Sequence, residues 1–311
     1  MSIDIKKQGE CILDKVKTDK VKTKLFNDNF QNFKRYGVPK AQLVIADIPY
    51  NLGENAYASS TEWYVNGDNK QGESKKAGKA FFKSDLNFNL AEYMHFCSKL
   101  LKKEPKERNQ APAMIVFCSF EQMPMIIEYG KKYGFNGSYP LFFVKNYSSQ
   151  VLKANMKIVG ATEHAVVLYR NKLPKFRNGG KVLENGRIEA GTGKMIFNWF
   201  EWKKDKKGEY PKIHPTQKPI TMLKELIEIF TDEGDVVIDP VAGSGSTLRA
   251  CRELGRHSYG FEVEKKFYNT AIEEMLTSKE EPQLNMLEVY AWRGQDHDWH
   301  RKILQLTKSV Y

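Results

Sequence analysis

The sequence predicts an α/β fold with a mixed, mostly parallel sheet covered on both faces, and three observations carry that prediction. Short, continuously apolar runs of strand length recur at Leu43–Ala46, Met114–Cys118, Pro140–Val144, Ala165–Tyr169, Val236–Asp239 and His257–Phe261. Runs without polar alternation imply strands buried on both sides. Between them lie segments of helical period, Leu90–Leu101, Met123–Lys132, Thr221–Phe230, Ser246–Leu254 and Phe267–Met275, and strands alternating with helices build parallel sheets. The 311 residues are 41% hydrophobic and 12% aromatic, enough for a sizeable core.

Lys and Arg number 49 against 38 Asp and Glu, a formal net charge of +11. That excess points to a polyanionic partner, nucleic acid first and an anionic membrane second. No apolar run approaches the roughly 20 residues of a spanning helix, and MSIDIKKQGE lacks the apolar stretch of a signal peptide. The chain therefore reads as a cytoplasmic protein with no membrane partner. Cys11, Cys97, Cys118 and Cys251 form no CxxC pair, which argues against both a disulfide framework and a zinc site.

Three stretches interrupt the alternation: a Lys, Gly, Asn and Ser-rich insert at 57–83, a polar region from Asn171 to Lys212, and a tail after Thr277. The insert fits a mobile arm near a phosphate backbone and an ordinary surface loop alike. The tail carries Leu287, Tyr290, Trp292 and Trp299, too apolar for a free terminus, so it is expected to pack on its own domain or on another subunit.

In VVIDPVAGSGSTLRACREL a strand leads through Asp239-Pro240 to Gly243-Ser244-Gly245 and then into a helix. Glycines there allow a tight turn and close approach of backbone to a ligand. A GxG turn alone is weak evidence. The next strand, however, ends in Glu262, about 20 residues on, where an acidic side chain accepts hydrogen bonds from ribose hydroxyls. Ser246-Thr247-Leu248 follows Gly245, so the third glycine of a dinucleotide fingerprint is missing. That combination favours a nucleoside cofactor without a pyrophosphate, such as S-adenosylmethionine.

The first clear strand, QLVIAD, ends in Asp47-Ile48-Pro49-Tyr50, at the carboxyl edge where α/β enzymes place their sites. A proline that simply ends strand pairing is one reading. The other is chemical. The amine of adenine has its lone pair delocalised into the ring, and two fixed acceptors, the Asp47 carboxylate and the backbone carbonyl beside Pro49, would localise it for attack. Tyr50 would stack on a base rotated out of the duplex.

Together these motifs resemble the amino-group DNA methyltransferases, with Asp47-Ile48-Pro49-Tyr50 standing for the DPPY motif and Asp239-Pro240-Val241-Ala242-Gly243-Ser244-Gly245 for DPFxGSG. A third match is His214-Pro215-Thr216-Gln217-Lys218-Pro219, similar to the HPTQKP segment that helps bind the cofactor in that family. The order, catalytic motif first, resembles the β group. Ile48 and Val241 depart from the pattern, the second at a residue that packs near the cofactor. The likeness runs from roughly Lys24 to Met275, including KLFNDNF, and leaves out the insert, the polar region and the tail.

The resemblance implies a Rossmann-like S-adenosylmethionine-dependent methyltransferase sandwich over 1–277, with a target-recognition region at about 145–212 and a tail at 278–311. It implies a site-specific adenine enzyme acting on double-stranded DNA, since Asp opens the tetrapeptide in the adenine enzymes and usually Ser in the cytosine-amine enzymes. Catalysis falls to Asp47, Pro49 and Tyr50. Cofactor binding falls to Asp239, Pro240, Ala242, Gly243, Ser244, Gly245, Glu262, His214, Thr216, Gln217 and Lys218, with no metal. Arg170, Lys172, Lys175, Arg177 and Arg187 are candidate phosphate contacts, and Asn178 or Asn185 could read a base edge. A homodimer and a cognate restriction enzyme are partners the family allows. A cytosine-amine or RNA-amine methyltransferase, or a DNA-binding protein on a decayed scaffold, are the rival functions.

Overall fold

The structure, a computed structural model, describes residues 21–49, 88–146, 150–153, 158–184, 189, 191–214 and 216–277. The 57–83 insert, the tail at 278–311, Tyr50, Pro215, Asn185 and Arg187 lie outside the described residues. The chain falls into two units, Met1–Leu276 and Thr277–Tyr311, and the fold is that of the first.

Eight strands form one sheet in the order β1-β10-β9-β2-β3-β7-β4-β8. These are β1 (Thr23–Phe26), β2 (Leu43–Asp47), β3 (Ala113–Cys118), β4 (Gly137–Val144), β7 (Thr162–Tyr169), β8 (Trp199–Glu201), β9 (Val236–Asp239) and β10 (His257–Phe261). A hairpin of β5 (Gln150–Lys153) and β6 (Ile158–Gly160) stands apart from it. Pairing is parallel except where β7 runs against both β3 and β4. The mixed, mostly parallel sheet expected from the apolar runs is therefore present.

Residues on β2 and β3 alternate between two cores, which is why their sequence shows no polar side. Leu43, Ile45, Ala113, Ile115 and Phe117 join the cluster under helices α3 (Ile220–Phe230) and α4 (Ser246–Glu253). Val44, Ala46, Met114, Val116 and Cys118 join the cluster under α1 (Leu90–Leu100) and α2 (Met123–Lys132). Burial on both faces removes any need for a solvated stripe. Ile48 lies in the second cluster at 3% exposure, so the residue that replaces a proline is held by packing.

The expected helix Phe267–Met275 is instead α5 (Lys265–Thr270) followed by a π-helical turn at Ala271–Met275. The edge strands β1 and β8 are only four and three residues long, too short for periodicity to reveal. No helix among the described residues is long and apolar enough to cross a membrane.

Candidate active site

The sheet grows in opposite directions from the junction of β9 and β2, which pair side by side although nearly 200 residues separate them in sequence. Such a switch point leaves a crevice beyond the carboxyl ends of the two strands. Asp239 closes β9 and Asp47 closes β2, so the topology brings the two motifs together at one opening. Burial, with the charge of Asp47 adding to it, pushes the Asp239 carboxyl up to about 7.

On the β9 side, Gly243 and Gly245 adopt φ of +53° and +77°, a region that a side chain disfavours by about 1–2 kcal/mol. A Cβ on Gly243 would meet open space, so the loop is shaped to leave room in front of it. Glu262, just past β10, turns back onto this loop. Its Oε2 accepts from the Gly243 N–H at 2.9 Å and its Oε1 from the Glu264 N–H at 2.7 Å. Burial nevertheless raises its carboxyl to about 7. Asn27, in the segment after β1, donates to the Glu262 carbonyl at 2.9 Å and so holds that corner from the sheet edge. Val241 is half-buried against the second core, with its N–H on Asp239 Oδ1 at 3.1 Å. We expect Gly243→Ala to weaken cofactor binding at least tenfold while lowering stability by only about 1–2 kcal/mol; calorimetric titration beside a thermal melt would show it.

The segment His214–Lys218 crosses the same edge and links its two halves. The His214 ring centroid lies 4.7 Å from that of Phe267 on α5, and His214 Nδ1 receives the Thr216 backbone N–H at 3.2 Å. Burial, and then the nearby Lys218 charge, lower the His214 pKa to about 4, leaving the ring neutral at pH 7. Gln217 is spent within the segment, accepting from the Ile213 N–H at 3.0 Å and donating to the Pro211 carbonyl at 3.0 Å. The segment then enters α3, whose first amides donate to the Asp205 carboxylate at 2.9 and 3.0 Å.

Lys218 reaches the other half of the site. Its Nζ is 2.6 Å from Asp47 Oδ2 and 3.1 Å from Glu163 Oε2. Glu163 in turn pairs with Lys145, and the two lysine ammonium groups lie over the Trp202 ring. Four alternating charges thus run from the end of β2, by way of the start of β7, to the residue after β4. Burial works to raise the Glu163 carboxyl, but the cations of Lys218 and Lys145 outweigh it and hold the pKa below the usual value. Lys218 is 8% exposed, so Lys218→Met would leave Asp47 without this cation and Glu163 with Lys145 alone. A loss of about 3–5 kcal/mol in chemical denaturation is expected.

Four of the five candidate phosphate contacts are committed elsewhere, which corrects that expectation. Lys175 pairs with Asp232 and Asp235 at 2.7 and 2.5 Å, and Arg177 grips Asp232 through two 2.6 Å bonds. Arg170 donates to the carbonyls of Lys102 and Ser98, and Lys172 to those of Pro105 and Lys106. The physical reason is the direction of β7. Because it is antiparallel, its exit at Tyr169 carries Arg170–Arg177 to the edge where β9 begins, away from Asp47 and Asp239. Asn178 likewise donates to the Lys194 carbonyl at 3.0 Å. By contrast, the chain leaves β4 at Val144 and enters β7 at Thr162 on the site edge, where the Lys145 N–H bonds the Ala161 carbonyl.

One site residue had no signal in the sequence. Gln122, in the turn after β3, donates from Nε2 to the Pro49 carbonyl at 2.9 Å. Among the described residues no group of three or more His, Cys, Asp or Glu side chains is arranged to hold a metal ion.

The chain is 25% identical over 284 residues to the DNA adenine methyltransferase YhdJ of Escherichia coli, covering 83% of each chain. It is 45% identical over 62 residues to the Type II methyltransferase M.HindIII of Haemophilus influenzae, a match spanning 20% of each chain. Two solved structures share the fold. The M1.HpyAVI–SAM complex has a TM-score of 0.55 at 21% identity, covering 82% of this chain and 99% of that one. The cytosine-N4-specific PvuII DNA methyltransferase has a TM-score of 0.57 at 15% identity, covering 82% and 86%. The family model described as DNA methylase, named for N6 and N4 methyltransferases, matches residues 41–273, from just before the strand bearing Asp47 to the π-helical turn. The chain therefore belongs to the amino-group DNA methylase family.

Proposed function

We propose that this protein is a site-specific adenine methyltransferase that transfers the methyl group of S-adenosylmethionine to the exocyclic amine of an adenine turned out of double-stranded DNA. One observation carries the reading: the Asp47 carboxylate sits across the switch point from the Asp239–Gly245 loop, so an acceptor for an amine and a cradle for a nucleoside share one opening.

The cradle fits the cofactor. Gly243 leaves room for a ligand against its backbone, and Glu262, although bonded to two amides, retains lone pairs for ribose hydroxyls. Asp239, Pro240, Ala242, Ser244 and Gly245 shape the loop, and the segment from His214 through Thr216, Gln217 and Lys218 closes the edge beside it. The cofactor supplies an electrophilic methyl group. The chain's own residues prepare the nucleophile.

Asp47 is held as an anion by Lys218, so it serves as a hydrogen-bond acceptor for one amine N–H. Pro49's own carbonyl already accepts from Gln122, and we assign the second acceptor to the Ile48 carbonyl, on the other side of the proline. Two acceptors favour a pyramidal nitrogen whose lone pair is available for direct displacement. As the new bond to the methyl forms and the sulfonium bond breaks, the amine becomes cationic and then gives its proton to water, because a carboxylate facing a buried cation is a weak base. Tyr50 is assigned to stack on the extruded base, which offsets the roughly few kcal/mol lost on unstacking.

Asp at the first position supports adenine over cytosine amine, as does the similarity to a protein named a DNA adenine methyltransferase. The net charge of +11 supports DNA as partner, and the part of the recognition region between Val144 and Thr162 is the one whose two ends lie on the site edge. The likeness to a Type II methyltransferase supports a restriction enzyme as companion, and the aromatic tail supports a second copy of the chain. We place the activity in the cytoplasm.

Incubation with methyl-labelled cofactor and unmethylated genomic DNA tests the reading. Label is expected in DNA and not in RNA. No transfer to DNA by protein that demonstrably binds the cofactor would instead support a binding-only role.

A further inference from the structure

We propose that Gln122 is a positioning residue for methyl transfer, acting by fixing the peptide that leads out of Asp47. The inference rests on the adenine reading above and deepens it.

Strand β3 ends at Cys118, and the chain then makes a tight turn in which the Gln122 N–H bonds the Ser119 carbonyl at 3.2 Å. The Gln122 side chain is 8% exposed, and both ends of its amide are engaged. Oε1 accepts from the Ser119 N–H at 3.1 Å, and Nε2 donates to the Pro49 carbonyl at 2.9 Å. These partners settle which end is which, because the flipped amide would set acceptor against acceptor at Pro49 and donor against donor at Ser119. One bond therefore anchors the side chain to its own turn while the other reaches across to the next strand.

The target of that reach is what gives it a role. Past Asp47 the β2–β3 ladder continues only through the Ile48 N–H on the Phe117 carbonyl, at a long 3.3 Å. The next rung would set the Ser119 N–H on the Ile48 carbonyl, but that N–H is given to Gln122 Oε1 instead. The Gln122 bond supplies the missing tie at the point where pairing stops. It thereby fixes the direction of the Pro49 carbonyl and, with the proline ring holding φ, helps to hold the Ile48 carbonyl one residue earlier. Acceptors that must meet an amine in a narrow range of directions gain from being fixed before the base arrives, and misplacement by about 1 Å can cost about a hundredfold in rate.

Gln122→Glu is the informative change, because it keeps the shape and the acceptor for Ser119 but sets a carboxylate oxygen against the Pro49 carbonyl. The expected result is a fall in kcat of about tenfold to a hundredfold, with KM for S-adenosylmethionine and for DNA within about twofold of wild type. A purely structural brace would lower the unfolding temperature and leave kcat of the folded fraction intact, which would overturn the proposal. Gln122→Met, which has neither donor nor charge, carries the same measurement if the glutamate variant does not fold. Asp47→Ala run alongside separates the two levels. Loss of transfer in Asp47→Ala with wild-type kcat in both Gln122 variants rejects the positioning role alone. Full transfer by Asp47→Ala rejects Asp47 as the acceptor for the amine, and this role with it.

Discussion

Asp47→Ala is expected to lose DNA methylation by a factor on the order of a thousand while retaining cofactor affinity, because it removes an acceptor used by the amine and not by the cofactor. Its carboxylate is at the end of β2, and the cradle is built on β9 and β10, so the two functions separate by strand. Removing the carboxylate also takes one anion from the buried Lys218, which keeps Glu163 at 3.1 Å as its remaining counter-ion. The variant should therefore fold. Asp47→Asn keeps one acceptor oxygen while giving up the charge and the second oxygen, and it is expected to fall less than the alanine variant. Single-turnover transfer together with equilibrium titration of S-adenosylmethionine distinguishes the two effects.

Glu262→Gln is expected to weaken cofactor binding by about tenfold to a hundredfold, the range for removing a charged hydrogen-bonding partner. An amide at this position can accept on one side only, so one of the Gly243 and Glu264 N–H groups loses its acceptor and the loop loosens as well. The carboxylate carries a pH signature besides. Burial raises it to about 7 in the fold, above its ordinary value, so the folded state holds this proton more tightly than the unfolded chain. Its contribution to stability is complete below about pH 4.5 and lost as pH rises to about 7. His214, lowered to about 4 by burial and Lys218, gives the opposite slope between about pH 4 and 6.5. Denaturant unfolding of wild type and Glu262→Gln at pH 5 and pH 8 isolates the glutamate. Wild type should lose more stability than the variant over that interval. Ribose hydroxyls donate best to the anion, so cofactor affinity in wild type should rise as pH climbs through 7.

Much of this was legible in the residues. Strands buried on two faces announce themselves as unbroken apolar runs, and Asp47, Gly243 and Glu262 are each recognisable from a short motif at a strand end. Partners across the sheet were not legible. Lys218 belongs by sequence to a cofactor segment, but strand order places its ammonium group on Asp47 and Glu163, and nothing local to HPTQKP encodes that pairing. Gln122 is one polar residue in an ordinary turn until β3 is known to lie beside β2. Lys175 and Arg177 looked like contacts for phosphate because their charge was visible and their neighbours Asp232 and Asp235, more than 50 residues away in sequence, were not. The direction of a single antiparallel strand decides which edge those cations reach.

Mass spectrometry of nucleosides from unmethylated genomic DNA treated with the protein and S-adenosylmethionine tests most directly that the acceptor is the amine of adenine. The expected product is N6-methyladenine, abolished in Asp47→Ala. N4-methylcytosine in its place would keep the fold and the two-acceptor site but contradict the assignment of the base.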